Sequence, residues 1–497
     1  MLYIRTTKTA SGATAVQVVR YESRKKIIVK HLGSAHTQKE LRLLRHAAQA
    51  WIESTTKQSS LFITEPLSHV LPLDRWNYHG FRYGLLYEVF SEIFVRFQFH
   101  RLRNKLLTDL VIARIVEPGS KRHSLKFLEA FMGIKHHRKQ FYQQLPRLTN
   151  LQDQIEAKVL AVAKEEFHFS FSFVLYDVTT LYFESFEPDE LRKPGFSKDN
   201  KSQQPQILIG LLVSTEGFPV AYHIFEGNKF EGHTLIPVIL AFKRKHHIGQ
   251  FTVVADAAMM SVENITALRA AGLHYIVGAR TGKLSLKFLA DVNVRLRHQD
   301  GATVRIPTTE YGNLICEFSA KRFTKDEREL NDHIRKAEAL LKNPSAIKRT
   351  KFLKPVDRHT YAMHTELVEK TKLLLGLKSY YTDLGSEVGD QAVIEHYHNL
   401  WHVEQAFRIA KSDLQMRPIY HFKQEMIKAH ILICFMSLAV CKYMELKTGK
   451  STKTIITALK SITDARMTNP FTDEETLIRS HVDEQVNQLL IQMGVRY

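Results

Sequence analysis

Apolar and polar positions alternate along three short runs at the start of the chain, LYIRTT, ATAVQVVRY and KKIIVKHLG, separated by a Ser-Gly turn and a charged connector. A period of two is that of half-buried strands, so the pattern predicts a small basic β-meander. A helical pattern follows from about 37 to 55. From about 80 to 165 the apolar residues recur at three-and-four spacing, which predicts a helical region. Near Phe169 the period changes again. FSFVLYDVTT, QILIGLLVST, FPVAYHIFEG, FTVVADAAM and HYIVGAR read as five strands, with helices between the later ones. The order β-β-β-α-β-α-β predicts an α/β domain with a mixed sheet.

The stretch 281–384 is more polar and breaks this pattern, which resumes at LLLGLKSYYTDL and a helix from Asp390. It reads as an inserted domain. The organisation expected is therefore a β module with a helix over 1–79, a helical region over 80–166, and a catalytic core over 167–280 and 385–450. The insertion at 281–384 divides that core, and a C-terminal helical region covers 451–497. The apolar run AHILICFMSLAVC (429–441) is shorter than the ~20 residues of a membrane span. It reads as a buried helix of a soluble protein, with no membrane partner.

Charge narrows the choice of partner. There are 70 Lys and Arg against 51 Asp and Glu, a formal net charge of +19 with pI near 9.6. The excess is concentrated: residues 1–60 and residues 101–150 each hold eleven basic against three acidic side chains. Such a field suits a polyanion, nucleic acid first, although a merely solvated surface produces the same count. Within the second basic stretch, NKLLTDLVIARIV, a Pro-Gly turn and KRHSLKFLEAFMGI place Lys121, Arg122 and His123 at the start of a helix. This arrangement resembles a helix-turn-helix reader, and also an ordinary turn between packed helices. Three cysteines without a C-x-x-C pair fit a reducing cytosol, and MLYIRTTKTASG has no secretory signal pattern.

Two carboxylates stand out. FVLYD and TVVAD each deliver an acid, Asp177 and Asp256, at the C-terminal end of an apolar strand, the edge of α/β sheets where ligands gather. A lone Asp there is often only a cap. A third acid, Glu404, lies in YHNLWHVEQAFRIAKSDLQ, where Tyr397, Glu404 and Lys411 are seven and seven apart and share one helical face. The bland alternative is an amphipathic helix in which Glu404 pairs with Arg408. Taken together, three carboxylates form a hard-oxygen set suited to Mg²⁺ or Mn²⁺. Two such ions, about 4 Å apart, support in-line phosphoryl displacement.

Asp177, Asp256 and Glu404, with Tyr397 and Lys411 spaced as Y-x2-L-x3-E-x6-K, resemble the DDE transposases of the insertion sequence four superfamily, whose signature is Y-x2-R-x3-E-x6-K. YDVTTLYFES, GFSKDNKSQQPQILIGLLVSTEGFPV, FEGNKFEGHTL and VADAAMMS extend the likeness from about 80 to 440. The resemblance implies a ribonuclease-H-like core interrupted by a β-containing insertion. It further implies Asp177, Asp256 and Glu404 as catalytic metal ligands for two Mg²⁺ ions, and Tyr397 and Lys411 as DNA contacts near the cut. Lys121, Arg122 and Lys198 complete the expected DNA-binding set. The substrate implied is double-stranded DNA, the element's terminal inverted repeats and a target, held in a homodimeric synapse on the nucleoid of a bacterial cytoplasm. The chain departs from the signature at Leu400, where the family has Arg; Arg408 or His402 are the substitutes within reach. Glu231 stands where relatives often have Asp. A catalytically silent DNA-binding regulator and a metal nuclease without a joining step are the competing readings.

Three other features read as bland. GKLS at 282 and GKST at 449 lack the first glycine of a phosphate loop. KHHRK (135–139) reads as a basic loop rather than a zinc site, and Trp401 as a core residue.

Overall fold

The computed structural model describes residues 2–495, apart from 24, 57–75, 171, 185–186, 197–202, 343–350, 358–359 and 469–474. Strands β1 (Leu2–Lys8), β2 (Thr14–Glu22) and β3 (Lys25–Ala35) form the expected antiparallel meander. Val16, Val18 and Leu32 bury against Leu44 and Ala48 of α1 (Gln38–Thr56), a small core of their own. Thr37 and Glu40 start that helix by exchanging backbone and side-chain hydrogen bonds, a capping box.

After β4 (Asn77–Arg82) come α2 (Gly84–Arg96), α3 (Lys105–Val116), α4 (Lys121–Phe127), α5 (Arg138–Gln144) and α6 (Gln152–Phe167). Asn104 and Ser120 cap α3 and α4 by accepting the amides of Leu107 and His123. His136 of KHHRK donates through Nε2 to Asp109 Oδ2 at 2.7 Å, and Tyr87 donates to Oδ1 at 2.8 Å. That histidine is therefore a hydrogen-bond partner of a buried carboxylate.

The main sheet begins with β5 (Phe173–Tyr182), β6 (Gln206–Val213) and β7 (Pro219–Glu226), all antiparallel. The chain crosses over through α7 (Leu235–Lys245) to β8 (Thr252–Ala255), parallel to β5, and through α8 (Val262–Ala270) to β9 (His274–Gly278), parallel to β8. Reading across, the order is β7-β6-β5-β8-β9. Continuous burial along β6 explains its unbroken apolar text: the sheet is covered on both faces.

Beyond α9 (Leu286–Leu296), β10 (Thr303–Thr308) and β11 (Gly312–Phe318), α10 (Ala320–Lys342) leads to β12 (Leu353–Pro355), β13 (Tyr361–Met363), α11 (Thr365–Leu373) and β14 (Leu377–Thr382). Residues 281–384 are not one inserted domain. β14 pairs with β9, β11 with β14 and β10 with β11, so they extend the same sheet to eight strands. Only α10, α11 and the β12-β13 hairpin gather around a separate core of Leu330, Ala337, Phe352, Val368 and Leu375. The polar text misled because β10 is the sheet's edge, half-buried along its length, where one side faces water.

α12 (Asp390–His398) and α13 (Trp401–Arg408) precede α14 (Gln424–Thr448). By length and composition α14 could cross a membrane, yet it is buried within the protein against α3, α6, β7 and α15 (Thr452–Ser461). The C-terminal part is not wholly helical. β15 (Asp464–Thr468) and β16 (Glu475–Arg479) form a hairpin ahead of α16 (Glu484–Gln492), and β15 pairs with β4. Both strands are short and largely half-exposed, and charged residues bond across the hairpin, Arg466 to Glu475 at 2.8 Å and Arg479 to Asp464 at 2.7 Å.

Candidate active site

β5 does not end at Asp177. It runs on to Tyr182 beside antiparallel β6, where Asp177 pairs with Leu211, while its parallel neighbour β8 stops at Ala255 opposite Tyr176. Asp177 and Asp256 are thus the next residues after one register pair. With strands spaced about 4.8 Å apart, that places their backbones side by side at the sheet's working edge. Asp256 itself is extended (φ −70°, ψ 162°), and its carboxylate accepts the following amide of Ala257 at 2.6 Å. Asp177 Oδ1 accepts the amide of Val178 at 2.7 Å.

Glu404 comes from a broken element. The expected single helix over 397–415 is instead α12, a tight turn, α13 and a π-turn, Ile409–Asp413. Leu400, His402 and Val403 donate to the carbonyls three residues back, which overwinds the chain between Tyr397 and Glu404. Leu414 then donates to Ile409 five residues back, which underwinds it around Lys411. Tyr397, Glu404 and Lys411 therefore do not lie on one straight face. Lys411 is half-buried on the π-turn, and Glu404 is exposed.

Tyr397 ties the pieces together. Its hydroxyl donates to Asp256 Oδ1 at 3.4 Å. Burial pushes that hydroxyl's pKa far above its ordinary value, and the negative charges of Asp256, then Glu404 and Asp177, push it further. Two ring contacts hold α12 in place: His396 stacks on Phe173 with ring centres 3.5 Å apart, and Tyr397 lies tilted against Tyr380 at 4.7 Å. Gly278, the last residue of β9, makes room; a Cβ there would stand 2.5 Å from the Tyr397 hydroxyl. Glu231 also approaches: with Asp177 it raises the pKa of Tyr176, whose main cause is burial.

The remaining expectations divide. Leu400 is buried in the core. His402 packs against the Gly217 turn, where a Cβ would meet it at 3.1 Å, and burial lowers its pKa. Arg408 is exposed, as is Arg122. Trp401 is not a core residue but 51% exposed, stacked on His402. Lys121 contradicts its expected place on a DNA-facing surface: it is 6% exposed, with Nζ 3.0 Å from His430 Nδ1. A helix start that is basic in sequence can still pack inward, and here α4 does. Lys198 lies outside the described residues.

Among the described residues, no three His, Cys, Asp or Glu side chains cluster tightly enough to hold a metal ion. Two of the acids are turned back onto their own backbones, as above. The donor set is nevertheless all oxygen and all anionic, the chemistry that suits a hard divalent cation.

The family pattern of the transposase DDE domain matches residues 168–440, more than half of the chain. The chain belongs to that family. Its members cut DNA and transfer strands, and they generally use divalent metal ions. The matched span starts just before β5 and ends within α14, so it takes in Asp177, Asp256 and Glu404. No curated protein matches the chain. One solved structure, a piggyBac transposase synaptic complex with hairpin DNA, is 11% identical over 70% of this chain and 68% of that one, with a TM-score of 0.38. That likeness is too distant to bear on any residue.

Proposed function

We propose that the protein is a cut-and-paste DNA transposase of the insertion sequence four group, with Asp177, Asp256 and Glu404 as its catalytic acids. The observation that supports the reading is the register that sets Asp177 and Asp256 side by side after the last β5–β8 pair, with the Tyr397 hydroxyl on Asp256 tying the helical pair that bears Glu404 to that edge. The strand order β7-β6-β5-β8-β9 supports it, being the order expected of a ribonuclease-H-like core.

The three carboxylates would hold Mg²⁺ or Mn²⁺, which when bound supplies a more acidic water or 3′-OH and a neutralised leaving oxygen. The protein's own residues do the positioning. β5 and β8 fix the two aspartates rigidly. Tyr397 orients Asp256, and Lys411 and Arg122 contribute positive charge toward the DNA backbone. Hydrolysis would expose a 3′-OH at the element end, and that hydroxyl would then attack target DNA. Two ends must be joined, so a homodimer is the working unit, and the cytoplasm of the host is its setting.

The test is a plasmid carrying the element's own inverted repeats, incubated with the full-length protein and Mg²⁺. Excision with insertion products supports the proposal. Cut ends without insertion would make the protein a nuclease, and end binding without cleavage would make it a silent DNA-binding factor.

A further inference from the structure

A cavity of about 620 Å³ opens beside the end of the Glu404-bearing segment, between α3, α4 and the loop that leads into α14. Arg114, Lys121, Arg122, Arg417 and Lys423 line it, and no Asp or Glu does. Two of these cations are buried. Arg114 is 3% exposed and donates to the carbonyls of Leu414 and Gln415 at 3.3 and 3.4 Å, which fastens the cavity to the end of the π-turn. The only hydrogen bond described for Lys121 is to the His430 ring. His430 Nε2 lies 2.9 Å from the Met416 carbonyl, which can only accept, so Nε2 carries the ring proton and Nδ1 accepts from Lys121. The ring is therefore neutral and offsets no charge.

Burying cations without a carboxylate costs several kcal/mol per ion by general estimates, and chains that retain them usually provide a counterion. Here the burial and the neighbouring Arg114 lower Lys121 to about pKa 7. At the mouth, Tyr420 and Phe422 stand exposed, a surface against which a sugar or base can rest.

We infer that this cavity is a phosphate-binding pocket that takes one backbone phosphate of the bound DNA strand, held by Lys121 and Arg114 with Lys423 at its rim. The assignment rests on the DNA-processing role above, yet none of the three acids lines the cavity. It explains why a helix start that reads as a DNA contact packs inward: Lys121 meets the strand from inside a pocket rather than across an open surface.

The experiment uses the full-length chain and a short labelled duplex, with binding followed by fluorescence anisotropy across a salt series. Lys121→Gln and Lys423→Gln should each weaken binding about three- to tenfold and lower the salt slope by about one. Lys423 is exposed, so its variant stays informative even if Lys121→Gln fails to fold. One methylphosphonate position in the strand should weaken wild type but not the Lys121→Gln variant. Unchanged affinity and slope in both variants would overturn the pocket. A second arm measures thermal stabilisation by inorganic phosphate against chloride at equal ionic strength. If phosphate stabilises wild type but not Lys121→Gln while DNA binding is equal in the two, the pocket takes free phosphate and the assignment to the strand falls. If wild type binds no DNA, the transposase reading fails, and the phosphate arm still decides whether an anion site exists.

Discussion

The Tyr397 hydroxyl donates to Asp256 Oδ1 at 3.4 Å, joining α12 to the end of β8 across 141 positions of sequence. The bond is long, but it links the helical pair that carries Glu404 directly to an aspartate of the candidate site, beside the ring stack of His396 on Phe173 of β5. Tyr397→Phe keeps the ring contact with Tyr380 and removes only the donor. Cleavage should fall about tenfold, the ~1.4 kcal/mol expected when a modest hydrogen bond to a charged group is lost. Thermal stability should hardly change. A variant that cuts at the wild-type rate would detach Tyr397 from the chemistry.

Replacing the acids acts on the reaction itself. Asp177→Asn, Asp256→Asn and Glu404→Gln keep size and shape but remove the negative charge that a divalent ion requires. Each should reduce cleavage by at least about a thousandfold while leaving binding of end DNA within about twofold. Mn²⁺ should sustain cleavage by wild type. Any acid whose variant retains substantial activity does not belong to the set.

Gly278 tests the same site sterically. The Cβ of Gly278→Ala would stand 2.5 Å from the Tyr397 hydroxyl and 3.1 Å from the Ala257 amide, so the ring must retreat from Asp256. The expected result is a cleavage defect at least as large as that of Tyr397→Phe, with DNA binding retained. In the double variant Gly278→Ala, Tyr397→Phe the two losses should be less than additive, because both act through one contact.

Much of this was legible from periodicity. The meander, α1 within a residue at each end, and the five-strand succession with Asp177 and Asp256 near one edge all follow from apolar spacing, because each buries one continuous face. What stayed hidden depended on partners distant in sequence. β10 and β11 are short, half-polar strands whose place is set by pairing with β14, and β15 is set by pairing with β4. The seven-residue spacing of Tyr397, Glu404 and Lys411 was visible. The turn and the π-turn that redistribute them were not, since nothing in local propensity marks where hydrogen bonding shifts from three to five residues. Lys121 was misplaced for a similar reason: a Lys-Arg-His run reads as surface unless one knows that His430 waits behind it.

Arg305 shows what β10 contributes. From the sheet edge its guanidinium bonds Asp390 Oδ1 at 2.7 Å and the carbonyls of Leu384, Gly385 and Val388 at 3.0, 2.7 and 2.7 Å. It thereby clamps the loop that launches α12. Arg305→Met leaves those acceptors and a half-buried carboxylate without their donor, a loss of about 2–4 kcal/mol. Urea unfolding should register that loss, and cleavage should fall as well because Tyr397 rides on α12. A variant of unchanged stability would show that the loop holds itself.

Lys121 gives a pH dependence with a definite sign. Its folded pKa is about 7, against about 10.4 for a lysine in an unfolded chain. Between those values the unfolded chain holds the extra proton, so stability rises with pH through that window and is lost as pH falls toward 7. The charged or titratable groups that face Lys121 are Arg114 from α3, His430 and Cys434 from α14, and His421 from the loop before it. Burial and the Lys121 charge hold His421 down to about 4 and His430 well below its ordinary range, so neither titrates in this window. Burial raises the Cys434 thiol. In Lys121→Met the rise in melting temperature from pH 7 to pH 9 should therefore be smaller than in wild type. Equal slopes for the two proteins would mean that Lys121 keeps its proton in the fold, and that its charge is compensated by a group other than those named.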